Sequence, residues 1–175
     1  MNADTEAPAA KTVVLRHPLG WIASGFGVGL APVAAGTFGS LAALVPWWLW
    51  LRHLPLAYYV AVIVVAFALG TWASQWVITR TRIEDPGVVV WDEFVGQWLA
   101  LAPLVWIQSA DWRAIVAAFA LFRLFDIWKP WPVRWADREI HGGFGAMFDD
   151  AIAGVMAGAV LCAAVYFQGQ SVGGA

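Results

Sequence analysis

Residues Leu56–Ile78 contain no charged side chain. As a helix rising about 1.5 Å per residue, this stretch is long enough to cross the ~30 Å hydrocarbon layer of a bilayer, which takes about 20 residues. It has no polar face to turn toward water, so an ordinary amphipathic surface helix does not fit it. A segment in lipid must satisfy its backbone internally, by helix or closed barrel. Alternation at period two is weak along the chain, and Ala, Leu, Trp and Val dominate, so helices are expected and not strands.

Composition agrees. The 175 residues are 61% hydrophobic and 13% charged, with mean hydropathy +0.69. Ordinary soluble domains are roughly 45–50% apolar and about 25% charged. The net charge of −2 supplies no basic field for nucleic acid. The single cysteine, Cys162, makes neither an internal disulfide nor a cysteine-based zinc site. Residues 1–18 read as a disordered tail and 19–170 as one helical domain.

Four further apolar segments accompany Leu56–Ile78: Ser40–Leu51, Phe94–Gln108, Ala114–Phe125 and Ala151–Phe167. The expected fold is all-α, a compact multi-helix membrane bundle with about four to five apolar helices. If all five cross from a cytoplasmic N-terminus, Lys11, Arg16, Arg80, Arg82, Lys129, Arg134 and Arg138 fall on the cytoplasmic side. Only Arg52 and Arg113 fall opposite, a positive-inside pattern. The alternative is a helical bundle with one central apolar helix, resting on the membrane. Trp47, Trp48, Trp50, Trp91, Trp106, Trp112, Trp128, Trp131 and Trp135 stand at segment ends, as interfacial anchors do. Gly25/Gly29 and Gly154/Gly158 have the spacing of close helix contacts.

The acids are grouped. Asp92–Glu93 open one apolar segment, Asp126 closes another and Asp149–Asp150 open a third. In the expected topology all lie at the cytoplasmic end. Helix capping explains one acid per start, at about 0.3–1 kcal/mol each. It does not explain adjacent pairs, or an acid at a helix C-terminus. A divalent cation removes the repulsion, and hard oxygen ligands select Mg²⁺ or Ca²⁺. Lys129, Arg134 and Arg138 follow Asp126 and suit phosphate contact, with Pro130 and Pro132 fixing the chain path between them. The stretch Gly36–Ser40 ("GTFGS") leads into a helix whose free amides, with the Thr37 and Ser40 hydroxyls, can receive an oxyanion. His141, before Gly142–Gly143, is a candidate general acid, phosphate contact or structural hydrogen-bonder. Glu84–Asp85–Pro86–Gly87 reads as a turn.

Taken together, "GTFGSLAAL", "VVVWDEFVGQW" and "FRLFDIWKPWPVRWADREIHGGFGAMFDDAIAGV" resemble the phosphatidylglycerophosphatase A family of bacterial membrane lipid phosphatases, over about Trp21 to Val165. Ala35 departs from the proline common in the family before the first glycine. The resemblance implies Mg²⁺-dependent hydrolysis of phosphatidylglycerol phosphate to phosphatidylglycerol and inorganic phosphate, at the cytoplasmic face of the bacterial inner membrane. It implies no nucleic-acid partner and points to no protein partner.

On these residues the expected metal ligands are Glu93, Asp126 and Asp149. Asp92 or Asp150 is the expected proton acceptor, with Lys129 and His141 also in the catalytic set. Thr37, Ser40, Lys129, Arg134 and Arg138 are expected to bind the substrate phosphate. A small carboxylate-lined membrane ion transporter is the rival reading, since intramembrane acids mark ion pathways. It would place its acids near the bilayer midplane, on broken helices.

Overall fold

The structure, a computed structural model, describes residues 11–173. Its helices are α1 (Pro18–Ala23), α2 (Ala35–Leu49), α3 (Leu56–Thr81), α4 (Trp91–Trp106), α5 (Trp112–Trp128), α6 (Val133–Glu139) and α7 (Gly142–Gly173). Short 3₁₀ turns cover Val28–Leu30 and Leu51–His53, and no strand occurs among the described residues. The all-α expectation holds.

The number of membrane-length helices is smaller than expected. Among the described residues only Leu56–Thr81 and Gly142–Phe167 are long and apolar enough to cross a membrane. Helices α2, α4 and α5 have 15, 16 and 17 residues, short of the about 20 that a crossing takes. Local chemistry sets these lengths. Asp111 caps α5 by accepting the Arg113 N–H at 3.0 Å. Lys129 ends it in the left-handed conformation (φ 48°) with Pro130 next, so the helix cannot continue.

The helices run up and down, and the starts of α2, α4 and α7 meet the ends of α3 and α5 at one end of the bundle. Glu93 at the start of α4 lies against Gly36 of α2 and Arg123 of α5. The Gly143 N–H at the start of α7 donates to Gln75 late in α3, at 2.8 Å. Aromatic donors tie the helices through carbonyl lone pairs that the helix itself leaves spare. Trp98 Nε1 donates to Ala43 O (2.9 Å), Trp91 Nε1 to Ala66 O (2.9 Å) and the Tyr59 hydroxyl to Trp98 O (2.6 Å). Trp47 and Trp91 are therefore core residues, 0% and 8% exposed, and not the interfacial anchors expected from their place at segment ends. The other seven expected anchors are exposed. Trp112 and Trp128 mark the two ends of α5, about 24 Å apart at ~1.5 Å per residue.

A close backbone crossing joins α4 to α7. A Cβ on Gly154 would stand 2.3 Å from the Gly96 carbonyl oxygen, and one on Gly158 would stand 3.0 Å from that of Leu99. The expected Gly154/Gly158 pair thus does bring two backbones together. Gly25 and Gly29 share no helix.

Of the expected tail 1–18, residues 1–10 lie outside the described residues. Residues 11–14 form a helical turn, and Val14 is fully buried with Leu19, Ala23, Ala73, Val77 and Val88. Packing therefore begins before residue 19, with the Val14 backbone lying against Gly20, where an added Cβ would stand 2.2 Å from the Val14 carbonyl oxygen.

Gly154→Val should lower the melting temperature of the detergent-purified protein by several degrees, since overpacking costs about 1–3 kcal/mol. Gly87→Ala, with nothing within 4 Å of the added carbon, should leave the melting temperature unchanged. Equal melting curves for Gly154→Val and the parent would contradict the backbone contact.

Candidate active site

A cavity of about 430 Å³ opens at the charged end of the bundle. Its wall is built from the start of α2, the loop before α4, the start of α4, the end of α5 and the turn from α6 into α7. Asp92, Glu93, Asp126, Lys129, His141, Asp149 and Asp150 all line it, so acids far apart in sequence do converge. Thr37, Ser40, Arg134 and Arg138 are not among the lining residues.

The Gly96–Gly154 contact is what brings the two acid pairs together. Asp92–Glu93 stand just before Gly96 on α4, and Asp149–Asp150 just before Gly154 on α7. Carboxylate oxygens of Asp92, Glu93 and Asp150 lie within 4.8 Å of one another. Gly36 is the seat for Glu93: a Cβ there would stand 2.1 Å from Glu93 Oε1. Glu93 Oε2 and Asp150 Oδ2 are buried without a hydrogen-bond partner. Burial pushes the Glu93 carboxyl up to about 7. Burial, then the charge of Glu93 beside it, holds Asp92 well above the usual carboxylate range.

The two remaining acids have cations of their own. Asp126 pairs with Arg123 at 2.7 Å, and Asp149 with Lys129 at 2.9 Å. Lys129 also binds Asp137. Burial opposes the Lys129 charge, but the carboxylates of Asp137 and Asp149 outweigh it and hold the ammonium above the ordinary lysine range. The grouping thus differs from the expected metal set of Glu93, Asp126 and Asp149. Neighbouring residues on a helix point about 100° apart, so Asp149 turns toward Lys129 while Asp150 turns toward α4.

Ser40 is fully buried. Its hydroxyl donates to Gly36 O at 2.9 Å and accepts from Arg123 Nη1 at 3.3 Å. This places it behind the cavity wall, steadying Arg123. Thr37 is half-exposed, and Arg134 and Arg138 stand out at the surface. Arg123, to which the sequence reading gives no role, reaches Asp126, Glu93 (3.9 Å) and Ser40 together. An arginine inside an apolar helix, three residues before an acid, was the available signal.

Eight carboxylates line this cavity, Asp92, Glu93, Asp126, Asp137, Asp149 and Asp150 together with Glu84 and Asp85 of the turn before α4; Lys129 lines it too, and Arg123 pairs with Asp126. Partnerless buried carboxylate oxygens are costly. A hard divalent cation fits the Asp92–Glu93–Asp150 cluster and offsets the excess charge. Asp92–Glu93 begin α4 and Asp126 lies near the end of α5, whereas Asp149–Asp150 stand two turns into α7 and not at the helix start expected of them, with Lys129 among the acids.

The family profile of phosphatidylglycerophosphatase A matches residues 21–165. A phosphatidylglycerophosphatase A from Escherichia coli is 40% identical over 162 residues, 93% of this chain and 90% of that protein. One from Haemophilus influenzae is 40% identical over 164 residues, 94% of this chain and 99% of that protein. A Bacteroides thetaiotaomicron protein named as a candidate phosphatidylinositol-3-phosphatase is 41% identical over 140 residues, 77% of this chain and 85% of that protein. No solved structure matches the chain.

The raised Glu93 carboxyl gives a signed pH dependence. A folded pKa above the unfolded value contributes stability at low pH that is lost as pH rises through about 7. Chelated protein should therefore melt at a falling temperature from pH about 4.5 to about 7 and level off above that, and Mg²⁺ should raise the melting temperature more at the higher pH. Glu93→Gln should flatten both trends. A Mg²⁺ shift of equal size at both pH values would contradict the assignment.

Proposed function

The chain belongs to the phosphatidylglycerophosphatase A family, and on that premise we propose that it hydrolyses the terminal phosphomonoester of phosphatidylglycerol phosphate, giving phosphatidylglycerol and inorganic phosphate. The observation that carries this reading is the buried Asp92–Glu93–Asp150 cluster beside Lys129, at one end of an apolar bundle. A phosphomonoester on a membrane lipid needs that combination: an apolar body for the bilayer and an anion-tolerant polar site at headgroup level.

Glu93 and Asp150, with their partnerless oxygens, would hold Mg²⁺, which commonly uses one or two protein carboxylates and shares its shell with substrate phosphate. Bound there, Mg²⁺ supplies Lewis acidity and positive charge against the phosphoryl oxygens. Lys129 has three N–H donors, two of them directed to Asp137 and Asp149, and the third is available for a phosphate oxygen. It remains charged and so donates. Ala35 and Gly36 of the first turn of α2 line the cavity, and the amides of a helix start can add donors. Asp92, facing the cavity with a raised pKa, takes the proton of the water that attacks phosphorus. The bond from phosphorus to the glycerol oxygen breaks, and His141 at the rim returns a proton to that oxygen. Asp126 and Asp149 orient Arg123 and Lys129. Arg134 and Arg138, outside the cavity, draw the anionic lipid surface toward it. The site then faces the cytoplasm at the bacterial inner membrane, on the side of the denser lysines and arginines.

Purified protein in detergent should release phosphate from phosphatidylglycerol phosphate only with Mg²⁺ present. Glu93→Gln and Asp150→Asn should each lower kcat about 100-fold or more. Full activity in both variants, or in excess chelator, would sink the proposed site. Arg134→Ala combined with Arg138→Ala should cost less than about tenfold, and the loss should shrink as salt is raised.

A further inference from the structure

The cavity wall contains parts of α2 and α5, and the seam between these helices opens again at the far end of the bundle. There an apolar groove of about 360 Å³ is lined by Leu44, Val45, Trp47, Trp48 and Leu49 of α2 and by Ile115 of α5. The two openings share helix faces. On α2, Gly36, Ser40, Leu44 and Trp48 recur every fourth residue, which sets them in one row. Gly36 lines the cavity, Ser40 bonds across the seam to Arg123, and Leu44 and Trp48 line the groove. On α5, Asp126, Arg123, Phe119 and Ile115 recur at three and four. Asp126 lines the cavity and Ile115 the groove.

At ~1.5 Å per residue, Gly36 to Trp48 spans about 18 Å and Asp126 to Ile115 about 16.5 Å. One leaflet of a ~30 Å hydrocarbon layer is about 15 Å deep. A lipid whose phosphate reaches the acid cluster from a leaflet extends its chains by about this distance along the bundle.

We propose that the α2–α5 seam is the acyl-chain subsite for the lipid substrate, with the phosphomonoester in the cavity and the end of one chain in the Leu44–Val45–Ile115 groove. This rests on the lipid-phosphatase reading above. The shared helix rows carry it, together with the agreement between their length and one leaflet.

Val45→Trp and Ile115→Trp fill the groove, while Val64→Trp on α3, at an exposed position, is the control. Steady-state kinetics in one detergent compare dioleoyl with dihexanoyl phosphatidylglycerol phosphate. The groove variants should raise KM for the dioleoyl lipid about tenfold, as expected when about two methylenes lose their burial. They should leave kcat/KM for the dihexanoyl lipid within about twofold, and the control should match the parent on both. Equal losses on both lipids, or an unchanged KM for the long one, would overturn the subsite. If the parent cleaves neither lipid, the lipid-phosphatase reading itself fails. Binding is read separately with a phosphatidylglycerol phosphate carrying a photoreactive diazirine at one chain end. Its label should fall on the peptides containing Val45 and Ile115 and be competed by unlabelled lipid. Equal labelling of the Val64 region would overturn the subsite whatever the activity.

Discussion

The backbone contact between Gly96 and Gly154 is the constraint on which the rest of the site depends. A side chain at Gly154 would push α4 and α7 apart, and one at Gly96 would meet Phe122 of α5 and the Asp150 carbonyl of α7. With none there, the first turns beyond the crossing carry Asp92–Glu93 and Asp149–Asp150 side by side. Four carboxylates then share one region, an arrangement stable only with compensating charge. Arg123 and Lys129 supply part of it, from the far end of α5. The remainder falls on the Asp92–Glu93–Asp150 cluster, where two buried oxygens have no partner. The packing of two glycines thus leads directly to a site suited to a hard divalent cation.

The aromatic ties serve the same arrangement. Trp91 and Trp98 hold α4 to α3 and α2 through indole hydrogen bonds to helix carbonyls. They fix the height of α4 in the bundle, and so the height of Asp92 and Glu93 at its first turn. Lys129 illustrates a different kind of cost. It ends α5 in a left-handed conformation that a residue with a Cβ adopts only at some expense. In return its ammonium reaches both Asp137 and Asp149, which floating surface lysines do not do.

Much of this was legible in the sequence. Paired acids at the openings of apolar segments, with an acid at the end of another, announced a convergence of charge, although α7 starts seven residues before Asp149, and the Gly154/Gly158 spacing announced a close helix contact. Which acid joins which partner was not legible, because it depends on side-chain directions that a residue-level reading does not resolve. Asp126 and Asp149 were expected on a metal, yet each carries a short contact to a cation. Ser40 was expected to face a phosphate, but a serine within a helix can turn its hydroxyl back to the carbonyl four residues earlier, and this one does. Trp47 and Trp91 looked like interfacial anchors because position at a segment end is visible in sequence and burial is not. Crossing by α2, α4 and α5 is the expectation their lengths do not support, since apolar character alone does not tell a spanning helix from a short one packed within a bundle.

The central claim is that the acids from α4 and α7 share a divalent cation. Mn²⁺, paramagnetic and similar to Mg²⁺ in its preference for oxygen ligands, reads this directly by electron paramagnetic resonance on the purified, detergent-solubilised protein. The account predicts a single tightly held Mn²⁺ per chain, displaced by excess Mg²⁺ and lost in Glu93→Gln and in Asp150→Asn. A parent protein that binds no Mn²⁺ while releasing phosphate, or variants that bind it as well as the parent does, would contradict it.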